Sequence, residues 1–132
     1  MKGLDTNVLV RFLVNDDRSQ GLRVKELFLE AERTGGSYKV TMPVILELIW
    51  VLGSVYDFQR QELLRAVELL TQMPVLEFED YDALVNWIRL GRSTSEGLAD
   101  LLIGVTGKAA GCETTLTFDK SLNTSGLFSP LA

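Results

Sequence analysis

Asp5, Glu47, Asp100 and Asp119 are the side chains of this sequence best placed to do chemistry. The chain contains no histidine. That removes Ser-His-Asp and Cys-His catalysis, and with them every histidine metal site. Cys112 is the only cysteine, so neither an intrachain disulfide nor a multi-cysteine zinc site can form. Polar chemistry is left to carboxylates, amides, hydroxyls, lysines and arginines. Two carboxylates ~4 Å apart repel by about 4 kcal/mol at an effective dielectric of ~20. Several gathered together are tolerable mainly with a divalent cation among them. Such a cation supplies Lewis acidity and lowers the pKa of a bound water.

Each acid also has a plainer reading. Asp5 closes the first strand-like segment, and Asp119 follows the segment "TTLTF". In an open parallel sheet, ligands sit beyond the carboxyl ends of strands where the strand order reverses. If these two strands are neighbours at the reversal, both carboxylates face one crevice. Otherwise Asp5 is a helix N-cap and Asp119 a turn residue. Glu47 lies among Val44, Ile45, Leu46, Leu48, Ile49, Trp50, Val51 and Leu52. With no polar helix face around it, Glu47 is expected to be buried, and a buried carboxylate needs a partner or a metal. The alternative is an ion pair with Arg11. Asp100 points away from the stripe Leu98, Leu101, Leu102 and Val105. Its own face carries Gly97, Gly104 and Gly107, with Glu96 one turn earlier. Small residues there admit a strand or a substrate; the other reading is a solvated face.

The elements that must position these acids alternate strand with helix. Stripes at i, i+3, i+4, i+7 run through Val24, Leu27, Phe28 and Ala31, stopped by Gly35 and Gly36. They recur at Leu63, Ala66, Val67 and Leu70, ending near Pro74, and at Tyr81, Leu84, Val85 and Ile88, capped by Asp80. The Leu98 stripe has Ser95 as a candidate cap and Gly111 as its C′ residue. Two helices, about 6–14 and 43–55, are apolar nearly all round and should be deeply buried. Strand-like segments are Lys2–Asp5, Tyr38–Met42, Val75–Phe78 and Thr114–Phe118, and the tail reads as loop with a short edge strand. The expected fold is α/β: one domain over residues 1–132, with a parallel sheet of four to five strands flanked by paired helices.

Composition narrows the setting. Apolar residues make up 46% of 132 residues, enough to bury a real core. No apolar run approaches the ~20 residues of a membrane span. The longest, "PVILELIWVLGSV", is broken by Glu47. The opening "MKGLDTNVLV" lacks the small-residue cleavage site of a secretory signal, so the expected location is cytoplasmic, with no membrane partner. The net charge of −5 argues weakly against a nucleic-acid partner, unless cations bound at the acids reverse the local sign. "GVTGKAAG" fails as a P-loop because Ala109 follows Lys108 where Ser or Thr is needed. No G-x-S-x-G or G-x-G-x-x-G occurs.

In this order, the four acids resemble the PIN-domain family of ribonucleases, and within it the VapC-type toxins of toxin–antitoxin pairs. "GLDTNVLVRFLVNDD" is similar to the opening motif, with Asp5 as first acid and Thr6 and Asn7 beside it. "MPVILELIWVL" resembles the second motif and carries Glu47. "GLADLLIGVTGKAAGCETTLTFDK" resembles the third and fourth, with Asp100 in a helix and Asp119 after a strand. The resemblance spans almost the whole chain. It implies hydrolysis of RNA phosphodiesters with Mg2+ or Mn2+, with Asp5, Glu47, Asp100 and Asp119 catalytic and Asp5, Asp100 and Asp119 holding metal. Oxygen donors suit these hard ions. Thr6, Asn7 and Thr117 are candidates for orienting the acids or a water. Arg11 and Lys120 are candidates for contacting RNA, whereas Arg89 and Arg92 read as surface charge. The resemblance also implies a cognate antitoxin protein and a homodimer. One departure stands out: many relatives carry a further acid shortly before the Asp100 position, and here only Glu96 could stand in for it.

Other classes fit less well. A haloacid-dehalogenase-type phosphatase wants a second Asp two residues after the first, and this chain has Asn7. A receiver domain places its phosphorylated Asp after the third strand, which "PVLEFEDYD" matches poorly. A catalytically silent PIN-like module that binds RNA or protein is the remaining alternative.

Overall fold

The computed structural model describes residues 1–131. Five strands and six helices follow in the order β1 (Lys2–Gly3), α1 (Thr6–Leu13), α2 (Arg18–Thr34), β2 (Tyr38–Val40), α3 (Met42–Ser54), α4 (Arg60–Thr71), β3 (Leu76–Phe78), α5 (Tyr81–Ser93), α6 (Leu98–Ala109), β4 (Thr115–Thr117) and β5 (Phe128–Pro130). Each crossover from β1 to β4 carries two helices, as the alternating periodicities predict. All strand pairing is parallel, but it falls into two ladders, β1-β2-β3 and β4-β5. The neighbouring of the first strand with "TTLTF", the condition for one shared crevice at the reversal, is therefore not made by ladder hydrogen bonds.

Local chemistry explains most helix ends. Asp17 and Asp80 accept the backbone N–H groups of Gln20 and Ala83 and so start α2 and α5. Gly35 stops α2 in a left-handed conformation, φ 73°, which costs glycine nothing. Gly111, just past α6, has φ 98°. The start of α6 differs from expectation: its N-cap is Gly97, not Ser95, and no side chain caps it. Asp100 in the first turn supplies the negative charge that the helix N-terminus favours.

The core runs through every helix pair and the first sheet. Trp87 is fully buried between the α4–α5–α6 helices, with Leu64, Leu84 and Leu101 equally enclosed. The two helices expected to be buried all round are not. On α3, Ile45, Leu48 and Leu52 point inward, while Pro43, Leu46, Glu47 and Trp50 face out. Trp50 is 65% exposed. On α1, Thr6, Leu9 and Val10 are buried and the rest is half-buried or exposed. Apolar composition marked these helices as core, yet one side of each has no element packed over it.

The small residues of α6 admit strands. An added Cβ on Gly104 would lie 2.9 Å from Leu127 side-chain atoms, and one on Gly107 would lie 2.9 Å from Thr115 Oγ1. The β4-β5 ladder thus lies directly on the glycine face of α6.

Candidate active site

Asp5 lies two residues beyond the end of β1 and Asp119 two residues beyond the end of β4. Both are exposed. Asp5 Oδ1 accepts the Thr6 N–H at 2.8 Å, so Asp5 is the N-cap of α1. Asp119 Oδ1 accepts both the Ser121 N–H, at 2.9 Å, and the Ser121 hydroxyl, at 2.6 Å. The Asp119 N–H in turn donates to Thr117 Oγ1 at 3.0 Å. Those Ser121 hydrogen bonds hold the Asp119 carboxyl below the usual carboxylate range. Cap and turn geometry are both present, and they use only one oxygen of each carboxylate. Among the described residues, neither Oδ2 has a hydrogen-bond partner.

Asp100 is half-buried on the first turn of α6. Its carboxylate lies over Gly97: a Cβ there would sit 2.7 Å from Asp100 Oδ2. Only glycine leaves the carboxylate this position, and among the described residues no donor meets it. Glu47 is exposed, which overturns its expected burial. It lines a largely apolar groove between α3 and the start of α6, walled by Pro43, Leu46, Trp50 and Ala99. That puts Glu47 on the same groove as the residue preceding Asp100. The alternative pairing with Arg11 is not made. Arg11 instead meets Gln20 at 2.6 Å, Asp16 at 3.3 Å and Tyr56 at 3.4 Å. Tyr56 also donates to Asp16 at 2.6 Å, which joins the α1–α2 and α3–α4 turns.

The remaining candidates divide by environment. Thr6 is buried and its hydroxyl has no partner among the described residues. Asn7 is exposed and lines a shallow depression with Arg11, Gln20 and Arg23. Lys120 is exposed beside Asp119. Arg92 forms a two-pronged bond with Glu68 of α4, and Arg89 binds Asn86, as expected for surface charge. Glu79, just past β3, escaped sequence reasoning. It accepts the Met42 N–H at 2.7 Å and so caps α3 from another strand. No local spacing signals a cap borrowed across 37 positions.

Glu96 is 3% exposed. Its Oε2 accepts the Thr124 N–H at 2.7 Å, the Ser125 N–H at 2.8 Å and the Thr124 hydroxyl at 3.0 Å. Burial pushes its pKa up, and the hydrogen bonds from Ser125 and Thr124 more than offset this, leaving it lowered. A carboxyl whose pKa is lowered on folding stabilises the fold above its unfolded value and stops doing so as pH falls through the folded one. The Glu96 contribution should thus be complete above pH 4.5 and fade below it. In urea unfolding across acid pH, Glu96→Gln should flatten the loss of stability in that window. Equal slopes for both proteins would contradict the assignment.

Among the described residues, no three acids stand within reach of one ion. An ion of the magnesium type needs no such cage, since it keeps several waters and takes one or two carboxylates plus substrate phosphate oxygens. The free oxygens of Asp5 and Asp119 and the uncapped carboxylate of Asp100 are hard donors of the right kind.

The PIN domain family model matches residues 3–124. Over 126 residues the chain is 25% identical to a protein named VapC ribonuclease from Aquifex aeolicus (strain VF5), covering 96% of this chain and 93% of that protein.

Proposed function

The chain belongs to the PIN-domain family, and from that membership we propose that it is a divalent-metal-dependent endoribonuclease, the toxin of a toxin–antitoxin pair. The observation that carries this reading is the matched state of Asp5 and Asp119. Each follows the carboxyl end of a parallel strand, is fixed through one oxygen, and leaves the other free. The likeness to a protein named VapC ribonuclease over nearly the full length supports it.

Asp5, Asp100 and Asp119 are the proposed donors to Mg2+ or Mn2+; one or two of them would bind the ion directly, with water and substrate phosphate oxygens completing its shell. An ion held there would supply Lewis acidity toward the phosphate and would activate water. Thr117 and Ser121 fix the orientation of Asp119. Glu47, exposed and unpaired among the described residues, would take the proton that the attacking water gives up, and the departing sugar oxygen would take one from solvent. Lys120 and Arg11 contact the RNA backbone, Arg11 at the cost of loosening its bonds to Asp16 and Gln20. The partners are RNA, a small cognate antitoxin and a second copy of the chain, in the cytoplasm. The outward apolar face of α3 is the proposed dimer surface. No helix of the described residues is long and apolar enough to cross a membrane.

Expression without a partner protein should arrest growth, and Asp5→Asn should relieve the arrest at matched protein levels. Equal slowing by both proteins would remove the toxin reading.

A further inference from the structure

We propose that Glu96 is a positioning residue, not a cation ligand: its buried carboxylate locks the loop after Asp119 to the segment that opens the Asp100 helix. This rests on the reading of Asp100 and Asp119 as parts of one active site.

The need for a lock comes from topology. β4 and β5 are parallel, and the chain must return the full strand length between them. Parallel neighbours are ordinarily joined through a helix, which satisfies its own backbone. Residues 118–127 contain none. The N–H groups of Thr124 and Ser125 therefore need an acceptor, and Glu96 supplies it across 28 and 29 positions. Three donors converge on one buried oxygen, and bonds to an ionised acceptor are the strong kind.

What the lock joins is specific. Glu96 immediately precedes Gly97, the N-cap of α6 that lies under the Asp100 carboxylate. Thr124 lies five residues after Asp119 in the loop whose first turn is the Asp119–Ser121 pair. Leu127, at the far end of the loop, rests on Gly104 of the same helix. Glu96 and Gly104 thus hold the loop at two points, four residues before and four residues after Asp100, and the lock at Glu96 is the one that adjoins the Gly97 N-cap under the Asp100 carboxylate. Ligation is a poor fit for this side chain. Oε2 is filled by three donors, which leaves an ion only Oε1, an oxygen enclosed away from solvent and without a partner among the described residues.

Gln and Ala at position 96 separate the possibilities. Glu96→Gln keeps an acceptor oxygen for Thr124 and Ser125 and loses the charge. Glu96→Ala loses the acceptor. A positioning role predicts that Glu96→Ala lowers Mn2+ affinity or kcat by about 10- to 100-fold, leaves KM for RNA near wild type, and speeds hydrogen exchange at Thr124 and Ser125. Glu96→Gln should restore most of each property. Thr124→Val, which leaves Glu96 untouched, should shift kcat and exchange in the same direction by less. Should Glu96→Ala fail to fold, Glu96→Gln and Thr124→Val still decide. If Glu96→Gln loses Mn2+ binding and Thr124→Val behaves as wild type, Glu96 is a ligand and the proposal is wrong. If Glu96→Ala lowers only the melting temperature, with kcat and Mn2+ affinity intact below it, the residue is merely structural and the proposal is again wrong. A wild-type protein that cleaves no RNA would refute the nuclease reading instead, and the Mn2+ and exchange measurements would still read the lock.

Discussion

Asp5→Asn, Asp100→Asn and Asp119→Asn should each lower kcat for RNA cleavage by at least about 10³-fold, because a lost cation ligand forfeits several kcal/mol of charge stabilisation. The same changes should leave the fold standing. Asn is as good an N-cap as Asp, so its amide oxygen can still accept the Thr6 N–H at position 5. At position 119 it can still accept from Ser121. At position 100 no hydrogen bond among the described residues is lost. The separation of activity from stability is the diagnostic part. If these acids served only as cap, turn and helix-terminus residues, Asn would be neutral for cleavage as well. Single-turnover kinetics and urea unfolding of the three variants measure both quantities, and retained activity in any variant would remove that carboxylate from the site.

Trp87→Ala should cost about 3–5 kcal/mol, as deletion of a fully buried aromatic does, a large part of the ~5–15 kcal/mol that holds a typical domain together. Trp87 is wholly enclosed, and its indole N–H donates to the Leu98 carbonyl at 2.8 Å. Leu98 is the first residue of α6, two positions before Asp100. The side chain therefore fills the helical layer and also fixes where the Asp100 helix begins. Trp87→Phe should lose less, since most of the apolar contact survives and only the bond to Leu98 is gone. Equilibrium urea unfolding checks both variants. A cost for Trp87→Ala below about 1 kcal/mol would mean that the α5–α6 packing is not as described.

Elements set by local chemistry were legible in the sequence. The Asp80 cap, the Gly35 stop and the Gly111 turn depend on residues within a few positions, and the paired-helix crossovers follow from alternating periodicities. Two readings failed because spacing does not say which way a side chain points or what covers it. Nothing in α3 says that its Pro43–Leu46–Trp50 side is left uncovered, so apolar composition made Glu47 look buried. Nothing near Gly97 says that the Asp100 carboxylate occupies the place a cap would take, so Ser95 looked like the better N-cap. Glu79 and Glu96 meet partners 37 and 28 positions away, a separation that spacing cannot reveal. The two-ladder sheet was missed because β1 pairs over only two residues, and β4-β5 is joined by a helix-free parallel return that alternation does not announce.

Metal-dependent cleavage of RNA by carboxylates alone is the activity this site is proposed to carry. Its most direct test is incubation of the purified chain with single-stranded or looped RNA and with duplex DNA, each with Mn2+ and with a chelator, and products mapped to the nucleotide. RNA should be cleaved with Mn2+ and left intact with the chelator, and duplex DNA should be little affected. Cleavage that persists in the chelator would contradict it, because no histidine exists in the chain to replace the metal.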